Sequence, residues 1–244
     1  MADLSDISQA QRGQDVIWDY YQNESPETFE GSRARVRLLL SRIPPSRVIL
    51  NVGCGSGLFE EMALAKKVEV YSLDPSERSI RKLRQTLGLG DRAQAGYIEK
   101  IPFADSSFDV VVVSEVIEHL TPEVTRAGLR EILRVLKPGG SILGTVPSRE
   151  DLRGQIAVCP DCGKRFHKWG HQQSFDPGNM RRLLGEYFGS VRVVERPIIP
   201  WNLLNWKGKC FETAKALLWR MGIHGSNENL VFDARKPEDA HPGR

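Results

Sequence analysis

Short runs rich in β-branched residues alternate with segments of helical periodicity from about residue 33 to residue 147. This alternation is typical of βαβ units, in which helices connect the strands of a parallel sheet. The candidate strands of this part are 48–52, 68–73, 93–98, 109–114 and 140–146. Two later strand-like runs, 191–195 and 229–234, follow a segment that breaks the rhythm. We therefore expect a doubly wound α/β sheet with an insertion after the fifth strand.

The length of 244 residues suits one α/β domain with an insertion. Thr121-Pro122-Glu123 predicts the start of a helix over 122–136, and Lys137-Pro138-Gly139-Gly140 predicts a tight turn after it. Four regions are expected, which are an N-terminal cap (1–35), the α/β core (36–147), the insertion and substrate cap with the sixth strand (148–228), and the last strand with the tail (229–244).

Composition and charge exclude several classes of protein. Hydrophobic residues make up 40% of the chain and charged residues 27%, and no apolar run approaches the ~20 residues that span a bilayer. The N-terminal residues have neither a basic nor an apolar signal region, so we expect a cytoplasmic protein. A net charge of +3, with basic residues spread along the chain, does not indicate a nucleic-acid surface.

A glycine-rich turn follows the first strand, as Gly53-Cys54-Gly55-Ser56-Gly57. Glycines allow the backbone to turn sharply and to approach a ligand closely. The dinucleotide fingerprint G-x-G-x-x-G requires glycine where this chain has Leu58, which argues against a nicotinamide or flavin cofactor. Asp74 follows the second strand, where its carboxylate can accept hydrogen bonds from both hydroxyls of a ribose. The alternative is that Asp74 caps the next helix.

These motifs carry a resemblance to a known family. NVGCGSG, the acid in SLDPS, IPFADSSFDVVVVSEVIEHL and LRVLKPGG resemble, in order and spacing, the motifs of class I S-adenosylmethionine-dependent methyltransferases, and NLVFDARKP is similar to the last strand of that family. The resemblance implies a Rossmann-like sheet of seven strands, one of them antiparallel. It also implies that the methionine part of S-adenosylmethionine lies over Gly53, Gly55 and Gly57, and that its ribose lies on Asp74.

Two positions depart from the family pattern. Asn51 and Tyr97 stand where relatives usually or often have an acid. Asn51 can still form a hydrogen bond, either to the cofactor or as a structural partner of the loop, and the adenine can be read by the backbone of Ile98 or by Glu99. The candidate cofactor-binding residues are therefore Asn51, Gly53, Gly55, Gly57, Asp74, Pro75, Ile98, Glu99 and Ser114.

The segment after the fourth strand lies where the substrate meets the cofactor in this family. Methyl transfer to a hydroxyl requires an oriented nucleophile and an acceptor for its proton, and Glu115 and His119 are the candidate catalytic residues. The pattern Glu115-x-x-Glu118-His119 also resembles the magnesium motif of ubiquinone-biosynthesis O-methyltransferases and of small-RNA 2′-O-methyltransferases. The alternative is that His119 only caps a helix or packs.

The insertion contains the pattern C-x2-C-x4-H-x3-H, formed by Cys159, Cys162, His167 and His171. Cys-x-x-Cys followed by glycine resembles a zinc knuckle, and two thiolates with two imidazoles suit a tetrahedral structural zinc site. Two alternatives stay open. His171 precedes a Ser174-Phe175-Asp176-Pro177 helix start and can belong to the substrate pocket, and the cysteines can be two unliganded thiols.

Two aromatic or apolar segments lie outside these motifs. Trp18, Tyr20 and Tyr21 form either a lid on the cofactor or ordinary packing, and packing is the preferred interpretation. The stretch 198–221 interleaves large apolar residues with lysine and arginine, which suits core packing, a substrate cap or a surface that touches lipid. Core packing is the preferred interpretation here too.

The sequence thus predicts an enzyme that transfers a methyl group, most readily to oxygen, on a small-molecule acceptor or on one linked to a lipid or a sugar. Two alternatives remain. One is an RNA or DNA methyltransferase that grips its substrate through the zinc knuckle, and the other is a non-catalytic zinc-dependent binding module.

Overall fold

The fold is built on one sheet of seven strands, and the computed structural model describes residues 17, 18, 20–22, 24, 31–223 and 228–238. The strands are β1 Val48–Val52, β2 Glu69–Asp74, β3 Ala93–Ala95, β4 Phe108–Ser114, β5 Leu136–Pro147, β6 Ile156–Val158, β7 Arg165–His167, β8 Ser190–Pro197 and β9 Glu228–Arg235. The α-helices of the described residues are α1 Ser32–Leu40, α2 Leu58–Ala65, α3 Glu77–Thr86, α4 Pro122–Val135, α5 Pro177–Gly185 and α6 Trp206–Arg220.

The strand order in the sheet is β3-β2-β1-β4-β5-β9-β8. The first five strands pair in parallel, and β9 is antiparallel to both β5 and β8. This confirms the expected doubly wound α/β sheet of seven strands with one antiparallel member. The insertion adds a separate hairpin of β6 and β7, which the sequence did not predict.

The turn predicted at residues 137–140 falls at the irregular start of β5. The helix α4 ends at Val135, β5 begins at Leu136, and Gly139 has φ +70°. Leu136 pairs with Phe108, and a register shift follows before Ser141 pairs with Val110. The fully buried Leu136 holds this irregular start of the strand in the core.

Alternate strand residues enter two different hydrophobic layers, because successive side chains of a strand point to opposite faces. Ile49, Val70 and Val112 pack in one layer with α1, α2 and α3. Leu50 and Val111 pack in the other layer with α4 and α5. Since both faces are covered, the central strands are apolar along their whole length, as is usual in parallel sheets. The loops at the carboxyl edge of the sheet are left to form the site.

The helix α6 lies against the end of β8 and has no buried residue. Trp206 is 71% exposed and Phe211 is 65% exposed. The preferred interpretation of this stretch as core packing is therefore wrong. None of the helices within the described ranges is both long and apolar enough to cross a membrane.

Candidate active site

A cavity of about 750 Å³ lies at the carboxyl ends of β1, β2 and β4. Ligands of open α/β sheets bind at this edge, where the strand order reverses. The cavity wall comes from the glycine loop, from the residues that follow β2 and β4, from α1 and from the N-terminal segment. Its polar lining includes Gln22, Arg35, Asn51, Asp74, Glu115 and His119.

The glycine loop adopts backbone conformations that other residues rarely reach. Gly53 has φ +81°, and a Cβ atom there would lie 2.5 Å from Cγ2 of Val116. Gly55 has φ +54° and faces the cavity with no such collision. Gly57 does not line the cavity, and a Cβ atom on it would lie 2.5 Å from Cδ2 of Leu83. The loop thus leaves open backbone at Gly53 and Gly55, while Gly57 serves the packing of α2 on α3.

Asp74 ends β2 and lines the cavity with a side chain that is almost fully buried. Its Oδ2 accepts a hydrogen bond from the N–H of Gly55 at 3.1 Å, and its Oδ1 accepts one from the N–H of Ser76 at 2.9 Å. Burial raises the pKa of this carboxyl. The N-cap of α3 is Ser76, whose hydroxyl accepts from Ser79, so Asp74 is not the helix cap. Each carboxylate oxygen keeps a further lone pair for a ligand.

Asn51 lines the cavity, but its side-chain amide is already bound on the protein side. Its Nδ2 donates to Oε1 of Glu60 at 2.8 Å, and the hydroxyl of Ser72 donates to the same oxygen at 2.8 Å. This favours Asn51 as a structural partner of the loop. Glu60, which the sequence analysis missed, is fully buried, and desolvation raises its pKa to about 7. The sequence offered only a weak signal, because the first turn of α2 carries two adjacent acids, Glu60 and Glu61, and only the structure shows which of them is buried.

Only some of the residues considered for the adenine contact line the cavity. Pro75 and Tyr97 line the cavity, whereas Ile98 and Glu99 do not. The side chain of Ile98 is buried in the main hydrophobic layer. From the sequence we expected the backbone of Ile98, or else Glu99, to read the adenine, but the residue of this loop that lines the cavity is Tyr97, which is 39% exposed.

Glu115 is held at the cavity by a strained backbone, since it has φ +56° without being glycine. Its Oε1 accepts hydrogen bonds from Thr145 at 2.7 Å and from Asn229 at 3.4 Å, and its Oε2 lies 3.8 Å from a guanidinium nitrogen of Arg35. Ser114 beside it also lines the cavity and shares a hydroxyl hydrogen bond of 2.9 Å with Thr145. Three elements therefore fix the position of this carboxylate.

The ring of His119 lines the same side of the cavity; both of its nitrogens are buried, and neither has a hydrogen-bond partner within the described part of the chain. Its ring stands edge-on to Trp18, at 4.7 Å between centroids, and to His171, at 4.6 Å. Burial and the neighbouring His171 lower the pKa of His119 to about 3, so its ring is neutral at pH 7. A neutral imidazole can accept a hydrogen bond and a proton from a ligand.

The residues before β1 contribute to the cavity wall. Trp18 and Tyr20 line the cavity, whereas Tyr21 packs on Trp169 with ring centroids 5.1 Å apart. This geometry favours the lid interpretation for Trp18 and Tyr20, and the packing interpretation for Tyr21.

His171 lies in a cluster with Glu150 and His167, which local sequence patterns did not predict. Its Nδ1 contacts Oε2 of Glu150, and Oε1 of Glu150 lies 3.5 Å from Nε2 of His167. Nδ1 of His167 accepts hydrogen bonds from the backbone N–H groups of Trp169 and His171. A neutral histidine that accepts at Nδ1 carries its proton on Nε2, so this nitrogen points a donor at Glu150 and has no lone pair for a metal ion.

The predicted zinc ligands do not converge. Cys159 and Cys162 lie at the end of the β6–β7 hairpin, while His167 pairs with Ile156 at its opposite end and faces Glu150. In the part of the chain described, the compact sets of three metal-binding side chains are Glu118–His119–His171 and Glu150–His167–His171, and neither includes a cysteine. The four-ligand set is corrected to a cysteine pair and a separate histidine cluster.

The magnesium motif is also rearranged. Glu118 and His119 lie close to His171, whereas Glu115 is turned toward Thr145 and Arg35. Both carboxylate oxygens of Glu118 are buried without a hydrogen-bond partner among the described residues, and desolvation raises the pKa of this group. The negative charge of Glu115 also acts on Glu118 and raises its pKa, so a second carboxylate stands near this set. Magnesium at this motif stays a prediction, with Glu115, Glu118, His119 and His171 as the residues that would hold it.

The comparisons with known proteins agree with this geometry. Residues 50–144 match the sequence model described as "Methyltransferase domain". The matched segment is less than half of the 244-residue chain. It contains the glycine loop, Asp74, Glu115 and His119, and ends within β5.

Curated methyltransferases are similar to parts of the chain. The malonyl-[acyl-carrier protein] O-methyltransferase of Erwinia pyrifoliae is 32% identical over 116 residues, which are 48% of this chain and 43% of that protein. The 27-O-demethylrifamycin SV methyltransferase of Amycolatopsis mediterranei is 30% identical over 165 residues, which are 62% of this chain and 60% of that protein. The chain therefore spans about half the length of these relatives.

The fold extends the similarity beyond the matched segment. The 1,6-didemethyltoxoflavin-N1-methyltransferase of Burkholderia thailandensis, solved with S-adenosylhomocysteine, superposes with a TM-score of 0.66 at 18% identity and covers 97% of this chain and 92% of its own. At this identity the likeness shows the fold: a Rossmann-like methyltransferase sheet.

Proposed function

We propose that this chain is an S-adenosylmethionine-dependent methyltransferase that methylates an oxygen atom of a small-molecule acceptor, or of one linked to a lipid or a sugar. The observation that carries the proposal is that the glycine loop, Asp74, Glu115 and His119 meet in one cavity of about 750 Å³. The name of one relative, the malonyl-[acyl-carrier protein] O-methyltransferase, supports oxygen as the methylated atom. The cytoplasm remains the compartment we expect.

The cavity residues fit the cofactor. The open backbone at Gly53 and Gly55 provides the surface for its methionine part, because side chains there would collide or strain the turn. Asp74 is fixed by two backbone N–H groups and keeps lone pairs for the two ribose hydroxyls. Pro75 and Tyr97 form the wall beside it. Ser114 ends β4 and lines the cavity next to Glu115, between the cofactor residues and the residues we assign to the acceptor.

When bound, S-adenosylmethionine supplies an electrophilic methyl group, whose bond to sulfur breaks as the bond to the acceptor oxygen forms. The role we assign to His119 is to accept a hydrogen bond from the acceptor hydroxyl and to take its proton during transfer. Its low pKa makes the ring a weak base, which suits proton removal late in the reaction, when the oxygen has become acidic. Glu115, fixed by Thr145 and Arg35, orients the acceptor beside it.

A structural zinc ion remains a separate prediction. Cys159 and Cys162 stand at a tight hairpin turn, in which Gly163 has φ +69° and its N–H donates to the carbonyl of Cys159. Hydrogen bonds from the N–H groups of Cys162 and Asp161 lower the pKa of the Cys159 thiol, and a thiolate is the form that binds zinc. These features support two protein ligands on the hairpin.

The test is turnover with a panel of hydroxyl acceptors, for the wild type and for His119→Ala and Glu115→Gln. Loss of a positioned proton acceptor lowers turnover about 100-fold or more. We expect each variant to lose that much while its dissociation constant for S-adenosylhomocysteine changes less than about threefold, which is under 1 kcal/mol. Wild-type turnover in both variants would remove Glu115 and His119 from the mechanism. Absence of turnover in the wild type with every acceptor would favour the non-catalytic binding module.

A further inference from the structure

The helix α6 has its apolar residues on the side that faces solvent. The residues of α6 turned toward the protein are half-buried and include Gly208, Glu212, Lys215, Ala216 and Trp219. The indole N–H of Trp219 donates to the carbonyl of Glu195 on β8 at 3.1 Å, which anchors this inner side. At 3.6 residues per turn, Trp206, Cys210, Ala214 and Leu217 form the opposite stripe. An ordinary surface helix has the reverse arrangement.

The exposed side is large and continues beyond both ends of the helix. Trp206 is 71% exposed, Phe211 65%, Leu217 55% and Leu218 41%. Trp201 before the helix and Met221 after it are also exposed, at 44% and 68%. We call these six residues the apolar face. Large apolar side chains exposed together along one helix and at both of its ends indicate a site of interaction with a protein or a membrane.

The charges around the apolar face favour a membrane. Residues 198–223 contain four basic side chains and one acid, Glu212. Glu212 is on the inner side, 3.6 Å from Lys215, while Lys207, Lys209 and Arg220 are exposed beside the apolar face. Tryptophan with flanking lysines is the composition of helices that lie in the interface of an anionic bilayer.

The same charges oppose a protein partner. In a symmetric dimer the face would meet its own copy, so that the flanking cations of both copies would come together with no exposed acid of residues 198–223 between them. The cores of protein interfaces are, in addition, depleted of lysine.

We propose that the apolar face binds the surface of a bilayer that contains anionic lipids. The segment leaves β8 after Pro197, which pairs with Glu228, and the next residue of β9, Asn229, contacts Glu115 in the cavity wall. The docking segment therefore begins at the edge of the sheet where the cavity lies. If the proposed function holds, an enzyme bound to the membrane in this way would reach acceptors that are linked to lipids.

Co-sedimentation with vesicles tests the proposal without any measurement of activity. The vesicles contain either phosphatidylcholine alone or phosphatidylcholine with phosphatidylglycerol. We expect binding to the anionic vesicles and at least tenfold weaker binding to the neutral ones, because each lysine near an anionic surface contributes about fivefold in affinity. Equal binding to both vesicles, or to neither, overturns the proposal.

Two variants and a matched control assign the binding to this face. Trp206→Ser with Leu217→Ser removes apolar contact and should weaken binding about tenfold or more. Lys207→Gln with Lys209→Gln should weaken it about 25-fold, from fivefold for each lysine. The control, Ile156→Ser with Val158→Ser, removes side chains that are 48% and 58% exposed on the hairpin and should leave binding unchanged.

Two further readouts distinguish membrane binding from unfolding and from self-association. Because the altered side chains are exposed, the melting temperature should stay that of the wild type. If the control weakens binding as much as the α6 variants do, the assignment to this face is wrong. If sedimentation equilibrium shows a dimer that Trp206→Ser with Leu217→Ser dissociates, the face is a self-association surface and the membrane proposal fails. A loss of vesicle binding with cofactor affinity intact leaves the proposed function standing.

Discussion

Glu60 shows how one buried carboxyl group ties the cofactor loop to the sheet. Its Oε1 accepts from Asn51 on β1 and from Ser72 on β2, whereas its Oε2 has no partner among the residues described. Asn51 occupies the position that is usually acidic in the family that the motifs resemble. The nearby acid here is Glu60 on α2, to which Asn51 donates its hydrogen bond. The loop thus rests on a hydrogen-bonded group whose protonation depends on pH.

The pKa of about 7 for Glu60 predicts a pH-dependent stability difference between the wild type and Glu60→Gln. Between the unfolded pKa near 4.5 and the folded pKa near 7, the unfolded state releases a proton that the folded state retains, so the wild type loses stability as the pH rises. Glutamine keeps an acceptor oxygen and does not titrate. The free energy of unfolding of Glu60→Gln should therefore gain about 3 kcal/mol relative to the wild type from pH 4.5 to pH 8.

Denaturant unfolding at several pH values measures this difference. A constant offset between the two proteins over that range would show that Glu60 ionises with an ordinary pKa, and hence that its surroundings are wetter than the structure shows.

Glu60 and Glu150 also mark the limit of sequence reasoning at the residue scale. The glycine loop, Asp74 and Glu115 could be predicted because each lies next to a strand end in a recognisable local pattern. Glu150 lies in a polar loop with no pattern of its own, and its contact with His171 joins residues that are 21 apart in sequence. Side-chain contacts formed by the tertiary fold leave no periodicity for a sequence analysis to detect.

Helices and strands could be predicted where the spacing of their apolar residues matches the side that is buried. The central strands are buried on both sides and their β-branched runs identified them directly. In α6 the same reasoning gave the wrong result, because its apolar residues lie on the exposed side. The interleaved apolar and basic residues of 198–221 were identified from the sequence, but the exposure of the apolar ones was not predicted.

The β6–β7 hairpin gives the prediction at the element scale, which is that it binds zinc through its two cysteines. Cys159→Ser should lower the zinc content and increase proteolysis near 150–165, while cofactor binding stays intact because the cavity lining includes no hairpin residue. Cys210→Ser, which removes an exposed thiol on α6, is the matched control and should retain zinc.

His167→Ala distinguishes the two arrangements of ligands. The structure separates His167 from the thiols, so this variant should also retain zinc. Metal analysis of protein purified without chelator provides the measurement. Zinc far below one equivalent in the wild type, unchanged in Cys159→Ser, would identify the cysteines as ordinary thiols.

For the whole molecule, the alternation of strands and helices and the family motifs were enough to predict the seven-stranded sheet and the edge at which the site lies. They were not enough to predict the acceptor side of the cavity. There, Trp18, Arg35 and His119 come from different parts of the chain, and only the fold brings them together. The residues on the cofactor side of the cavity lie in short sequence motifs. The residues on the acceptor side are distant in sequence and meet only in the folded chain.

The central claim is that this cavity binds S-adenosylmethionine through Asp74, and calorimetric titration with S-adenosylhomocysteine tests it most directly. A charged hydrogen bond contributes about 1.5–3 kcal/mol, so loss of the carboxylate should weaken binding about tenfold or more. We predict a micromolar dissociation constant for the wild type and for the control Asp91→Ala, whose side chain is exposed and outside the cavity, and at least that tenfold loss for Asp74→Ala. No binding by the wild type, or a change below about threefold in Asp74→Ala, would contradict the claim.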